Sequence, residues 1–133
     1  MDIRSAAKSD LSEILDIDLK SFDNVWEEAR LINLLEETRV AVIDGRVVGY
    51  CIAEETRRIV TVYRFAVSPG FRRMGVGSQL IADLVISYPH EKLIRTKVDE
   101  YNLEAQQFLR SSTFQAIRTI DTNIIFEKRL DDA

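Results

Sequence analysis

One cysteine, one histidine, two prolines and five glycines are all that 133 residues hold of the types that build disulfides, most transition-metal sites and irregular chain. Cys51 has no partner within the chain, which excludes a disulfide framework. Long apolar runs are missing as well: none approaches the ~20 residues of a membrane-spanning helix. The start, "MDIRSAAKSD", has neither the basic region nor the apolar core of a secretory signal, so the expected location is cytoplasmic. A basic surplus is lacking too, since 18 Lys and Arg face 22 Asp and Glu for a formal charge of -4, which argues against a dedicated nucleic-acid binder. Low-complexity stretches, linkers and internal repeats are absent. What is there is ordinary for a globular chain, 46% hydrophobic and 30% charged. A single domain over residues 1–133 is expected, large enough to bury roughly two thirds of its unfolded surface without metal or disulfide.

The apolar spacing then gives the elements. "DIRSA" predicts a short first strand, and Asp10 a helix start, with Glu13 completing a capping-box-like pair. Leu11, Ile14, Leu15 and Phe22 give that helix one apolar face. Asn24 with Glu27 repeats the capping pattern, so a second helix is expected from about Val25 to Glu36. In "RVAVIDGRVVGYCIAEE", Asp44-Gly45 is the pair a two-residue type I′ hairpin prefers, flanked by strands near Arg39 to Ile43 and Val47 to Glu54. "RRIVTVYRFAVS" predicts a third long strand, Arg58 to Val67. After Gly77 a helix is expected in "SQLIADLVIS", then a strand in "KLIRTKV", a helix begun by Asn102, and two strands hinged about Asp121 to Thr122. The order β-αα-β-β-β-α-β-α-β-β implies an α/β (α+β) fold with a mixed sheet of six to seven strands covered by about four helices.

The stretch with the most chemistry in it is "SPGFRRMGVGSQL", residues 68–80. Between a strand and a helix, Gly75 and Gly77 can take φ > 0 and let the backbone approach a ligand. Amide N–H groups at the helix start then favour a phosphate or pyrophosphate, to which Arg72 and Arg73 add full charges. A P-loop is excluded because Val76 and Gly77 stand where Lys and Ser/Thr are needed. A dinucleotide fingerprint lacks its third glycine, which Leu80 replaces.

"AVSPGFRRMGVGSQLI" resembles the acetyl-CoA signature of the GNAT N-acetyltransferases, a Q/R-x-x-G-x-G/A pattern met by Arg72, Gly75 and Gly77. "FDNVWEEARL", "RFAV" and "NLEAQQFLRSSTF" are most similar to the ribosomal-protein N-terminal acetyltransferase group. The resemblance implies that acetyl-CoA is cosubstrate, with no metal. Its pantetheine arm would lie against the backbone of Phe65, Ala66 and Val67, where the strand splays from its parallel neighbour. Its pyrophosphate would rest on the amides of Arg72, Arg73, Met74, Gly75, Val76, Gly77 and Ser78, with Asn102 touching the pantetheine. An N–H near Phe65 would polarise the acetyl carbonyl.

The transfer needs a neutral amine and a proton for the departing thiolate, and here the chain departs from the family. Leu109 stands where the family's acid, a Tyr, is expected, Thr113 where a glycine is, and Lys97 where a glutamate base often is. The substitutes are Tyr63, as acid or water-linked base, and Ser112, with Glu54 and Glu100 as further carboxylates. Cys51 is expected in the core, and the lone His90 in a loop. Weak proton machinery favours a low-pKa acceptor: at pH 7 neutralising an α-amine of pKa ~7.8 costs roughly 1 kcal/mol, a lysine of ~10.4 roughly 5. The partner is then an amine-bearing substrate such as a protein N-terminus, lined by residues about Phe22 to Trp26, with Asp23, Glu27 and Glu28 nearby, and by the turn at Asp121 to Asn123. The alternative is an acyl-CoA-binding module that has lost catalysis and serves as sensor or subunit.

Overall fold

The computed structural model describes residues 1–24 and 26–130. Along the chain run β1 (Asp2–Ser5), α1 (Leu11–Ser21), α2 (Glu28–Asn33), β2 (Thr38–Ile43), β3 (Arg46–Thr56), β4 (Ile59–Val67), α3 (Val76–Ser87), β5 (Leu93–Asp99), α4 (Leu103–Ser111), β6 (Gln115–Ile120) and β7 (Asn123–Arg129). This is the order that the spacing predicts. The strands form one mixed seven-stranded sheet, β1-β2-β3-β4-β5-β7-β6, in which β4 and β5 are parallel. A parallel pair cannot be closed by a hairpin, and the chain between these two strands contains α3. No helix among the described residues is long and apolar enough to cross a membrane.

Two compact units divide the chain, Met1–Ala53 with Arg64–Ile86, and Glu54–Tyr63 with Ser87–Ala133. In the first, Leu11, Ile14 and Ile17 of α1 pack with Trp26, with Leu31 of α2, and with Val40, Tyr50 and Ile52 of the strands. Each such buried side chain contributes about 1.5–3 kcal/mol relative to exposure. The β2–β3 turn has φ of 50° at Asp44 and 76° at Gly45, the two positive values of the predicted type I′ turn. Helix α3 lies hard against β3: a Cβ on Gly49 would stand 3.1 Å from Val76 Cγ1 and 3.3 Å from Leu80 Cδ1.

Three local expectations for this unit give way to tertiary bonds. Asp10 makes no side-chain cap on α1; its carboxylate accepts instead from Ala7 N at 2.7 Å and from Arg4. Glu13, the expected second half of that box, accepts from Val47 N at 2.8 Å. The second helix starts at Glu28 and ends at Asn33, followed by a 3₁₀ turn at Leu35–Glu37, because Asn24 O and Trp26 N are bonded to Arg64 and Asp18. Val25, where that helix was expected to begin, lies outside the described residues.

In the second unit, β4 pairs with β5 from Ile59↔Leu93 to Val62↔Thr96, and β5 pairs with β7 along its whole length. Strand β6, the outer one, is exposed throughout. The turn before β4 uses Arg57 and Arg58 at φ 55° and 69°, so the strand begins at Ile59 rather than Arg58. At the start of α4, Asn102 Oδ1 accepts from Ala105 N at 3.1 Å, the predicted cap. Its far end is a Schellman motif, Phe114 N to Leu109 O at 2.9 Å and Thr113 N to Arg110 O at 3.1 Å. Thr113 sits there at φ 67°, the conformation that favours glycine.

Candidate functional site

The first unit carries the whole glycine-arginine loop. After β4, Ser68 N donates to Val48 O at 2.8 Å and Phe71 N to Ser68 O at 2.9 Å, so the chain turns sharply through Pro69–Phe71 into α3. Gly75 stands at φ 82° directly before the helix, and nothing lies within 4 Å of where its Cβ would be. That leaves a backbone open to a ligand at a helix N-terminus, whose first N–H groups have no intrahelical acceptor. Gly77 departs from expectation: it lies inside α3, and the positive φ values of the described glycines belong to Gly45 and Gly75.

The two arginines differ. Arg72 folds back, donating through Nε to Val67 O at 3.1 Å and through Nη2 to Ser21 Oγ at 3.4 Å, and so ties the loop to α1. Arg73 is exposed, at φ 64°, and makes no ion pair among the described residues. With Met74 also exposed, residues 72–75 present an open, positively charged edge beside the helix amides. Ala66 is buried, while Phe65 and Val67 are partly buried. The residues present therefore fit the diphosphate of a CoA-type group.

Elsewhere in the first unit, Asp18 of α1 is fully buried and ion-paired. Arg64 donates to it through Nε at 2.8 Å and Nη2 at 3.2 Å, Trp26 N at 3.1 Å, and Tyr50 Oη through a short bond. Burial pushes the Asp18 pKa up, but the bonds from Arg64, Tyr50 and the Trp26 amide outweigh it and hold the carboxyl below its usual range. Burial, then the bond to Asp18, raises the Tyr50 phenol well above its ordinary value. The Arg64 guanidinium lies 3.8 Å from the Phe22 ring centroid and 5.3 Å from that of Trp26, and Arg30 covers Trp26 at 3.7 Å. A cavity of about 240 Å³ opens here, lined by Asn24, Trp26, Glu27 and Arg30. Sequence reasoning missed Asp18 and Arg64. Their signals were an aspartate at the i+4 position from Ile14 on an apolar helix face, and an arginine inside an apolar strand.

In the second unit, Leu109 is buried and apolar, and Lys97 is exposed on β5. Ser112 closes α4, its N–H bonded to Phe108 O and its carbonyl taken by Lys128 Nζ at 3.0 Å. Glu100 is partly buried at the β5–α4 connection, its carbonyl accepting from Gln106 Nε2 at 2.9 Å. Tyr63 and Glu54 are brought together: Tyr63 Oη donates to Glu54 Oε1 at 2.8 Å, and the tyrosine is 42% exposed. His90 is exposed beside the β5 start, its carbonyl bonded to Arg58. Cys51, in the first unit, is in the core as expected, and burial pushes its thiol up to about 12, which removes it as a nucleophile. Tyr50 beside it is fully buried, its hydroxyl satisfied by Asp18. No group of three or more His, Cys, Asp or Glu that could hold a metal occurs among the described residues.

Comparison with solved structures finds the same fold many times. Ard1 from Thermoplasma volcanium is 24% identical with a TM-score of 0.88, over 96% of both chains. The ribosomal-protein-S18-alanine N-acetyltransferase from Escherichia coli is 20% identical with a TM-score of 0.86, over 99% of this chain and 95% of that one. The PaiA N-acetyltransferase from Thermoplasma acidophilum, solved in complex with coenzyme A, is 15% identical with a TM-score of 0.85, over 96% of this chain and 98% of that one. No curated protein sequence matches. The acetyltransferase (GNAT) family matches residues 11–114, so the chain, with its glycine-turned loop into α3, belongs to the GNAT acetyltransferases.

Proposed function

We propose that the chain is an acetyl-CoA-dependent N-acetyltransferase that passes acetyl to a primary amine, with a peptide α-amine or small amine preferred, by direct attack in a ternary complex. The observation that carries this reading is the loop at residues 72–78: Gly75 at φ 82°, open space above it, an exposed Arg73 and the start of α3. The coenzyme A in the Thermoplasma acidophilum PaiA structure supports the choice of cosubstrate. On this reading Arg72, Arg73, Met74, Gly75, Val76, Gly77 and Ser78 hold the diphosphate through backbone amides. The backbone of Phe65, Ala66 and Val67 runs along the pantetheine, and an N–H near Phe65 polarises the carbonyl under attack. Asn102, whose Oδ1 is committed to capping α4, offers its Nδ2. Bound acetyl-CoA supplies the activated acyl group. The protein's own part is to fix the carbonyl, bring the amine to it and move protons, for which positioning alone contributes several kcal/mol.

Titration calorimetry tests the cofactor half of the reading. The wild type should bind acetyl-CoA, and Gly75→Val should abolish binding at temperatures where it is still folded, since a β-branched residue at this φ is strained and blocks backbone approach. Unchanged affinity in the variant, or no binding by the wild type, refutes it. A second reading, an acyl-CoA-binding module without catalysis, is favoured by one observation: Leu109 and Lys97 occupy the positions where the family resemblance expects proton-handling groups. Acetyl-CoA binding without acetylated product would select it.

A further inference from the structure

We propose that the cavity at the start of α2 is a subsite for an acceptor whose α-amine lies close to a carboxylate, with Arg30 holding that carboxylate. This rests on the acetyltransferase reading above and names its acceptor class. The cavity, of about 240 Å³, is lined by Asn24, Trp26, Glu27 and Arg30, all within the first unit. That is below the roughly 300–1,000 Å³ of sites for drug-sized ligands, and suits one residue or a short peptide end. Its lining is anchored: Trp26 is buried with its N–H bonded to Asp18 of α1, and Asn24 O accepts from Arg64 of β4. Arg64 stands one residue before the backbone that the reading assigns to the pantetheine.

Two guanidinium groups contact the Trp26 ring, and they differ in what each has left to bind. Arg64, 5.3 Å from the ring centroid, is committed to Asp18. Arg30 lies 3.7 Å from the centroid and makes no ion pair among the described residues. Stacking uses the face of a guanidinium and leaves its in-plane N–H groups for a carboxylate, which they meet through two parallel bonds. The ring also holds the side chain in place, so less rotamer freedom is lost when a ligand arrives. Glu27, the N-cap of α2, precedes Arg30 by three residues, the spacing of helical ion pairs. It too makes no ion pair among the described residues. Glu27 repels a lone carboxylate, whereas a ligand with an ammonium beside its carboxylate satisfies both groups. A free amino acid offers that combination through its α-carboxylate, and a peptide through an acidic first side chain.

Trp26 is the chain's only tryptophan, so its fluorescence reports the cavity directly. The titrants are two matched pairs: C-terminally amidated tetrapeptides that begin with Glu or with Gln, and free alanine or alaninamide. Wild type should saturate with the acidic member of one pair and bind its amide about tenfold more weakly. Selection within the peptide pair assigns a side-chain carboxylate, and selection within the other pair an α-carboxylate. Arg30→Gln should remove the preference, Arg30→Lys should keep part of it, and Arg30→Glu should favour a peptide beginning with Lys over one beginning with Glu. Glu27→Gln should weaken both members of a pair about equally, because the ammonium is common to both. A preference that persists in Arg30→Gln, or Trp26 fluorescence that none of the four titrants moves, overturns the subsite. Acetylated product formed with equal kcat/KM from acid and amide overturns it too, and leaves the acetyltransferase reading standing. Selective titration with no acetylated product from any titrant keeps the carboxylate site and removes that reading instead.

Discussion

Tyr50 and Tyr63 each donate a hydroxyl to a carboxylate, and the two pairs differ in burial. The Tyr50–Asp18 pair is buried, and its carboxylate is saturated by Arg64 and the Trp26 amide, so every lone pair is spoken for and no proton has anywhere to go. In the Tyr63–Glu54 pair the tyrosine is 42% exposed. In the first, burial makes each hydrogen bond costly to lose. In the second, exposure makes the bond cheap to lose. The difference teaches that the same two functional groups hold the fold strongly or weakly according to how deeply they are buried and how many donors surround the carboxylate.

The sharpest way to break the comparison is Asp18→Asn. It leaves the Arg64 side chain, 10% exposed, with no counter-charge, and should cost about 3–5 kcal/mol in urea unfolding. Tyr50→Phe removes one donor from a buried carboxylate and should cost about 1–3 kcal/mol by the same measurement. The acid limb of stability carries the sign of Asp18. Its pKa is held below the usual carboxylate range in the folded chain, so it binds a proton less readily folded than unfolded. The stability it contributes is therefore present above the ordinary carboxylate range and lost as pH falls through the folded value. Urea midpoints measured from neutral to acid pH should fall for wild type and fall less steeply for Asp18→Asn, with Asp10, lowered by its bond to Arg4, keeping part of the slope in both. Tyr63→Phe is the smallest effect: its stability should stay within about 0.5 kcal/mol of wild type. A Tyr63→Phe loss as large as that of Tyr50→Phe would erase the contrast.

Much of the fold was legible because its signals are local. Asp44-Gly45 prescribes its turn, Asn102 its cap, and the alternation of apolar residues the strand order. The turn into α3 was legible at the glycines of residues 72–78, although the left-handed residues there are Arg73 and Gly75, and Gly77 is helical. What could not be read were bonds made across long sequence separations. Asp18 meets Arg64 across 46 positions, and that meeting, not the Asn24–Glu27 pattern, decides where α2 begins. The turn at Arg57 and Arg58 was missed because it uses arginines where Asn or Gly would announce it. The pairing of Tyr63 with Glu54 follows from that hairpin, so each was named as a candidate while their partnership stayed invisible.

The central claim is that this chain transfers acetyl and does not merely hold its donor. Incubating it with isotopically labelled acetyl-CoA and a mixed pool of N-terminal peptides, polyamines and amino acids, then reading the pool by mass spectrometry, tests that claim directly. The account predicts labelled amide on an α-amine or small amine, with little on lysine side chains. Acetyl-CoA binding with no labelled product, or label confined to lysine, would contradict it.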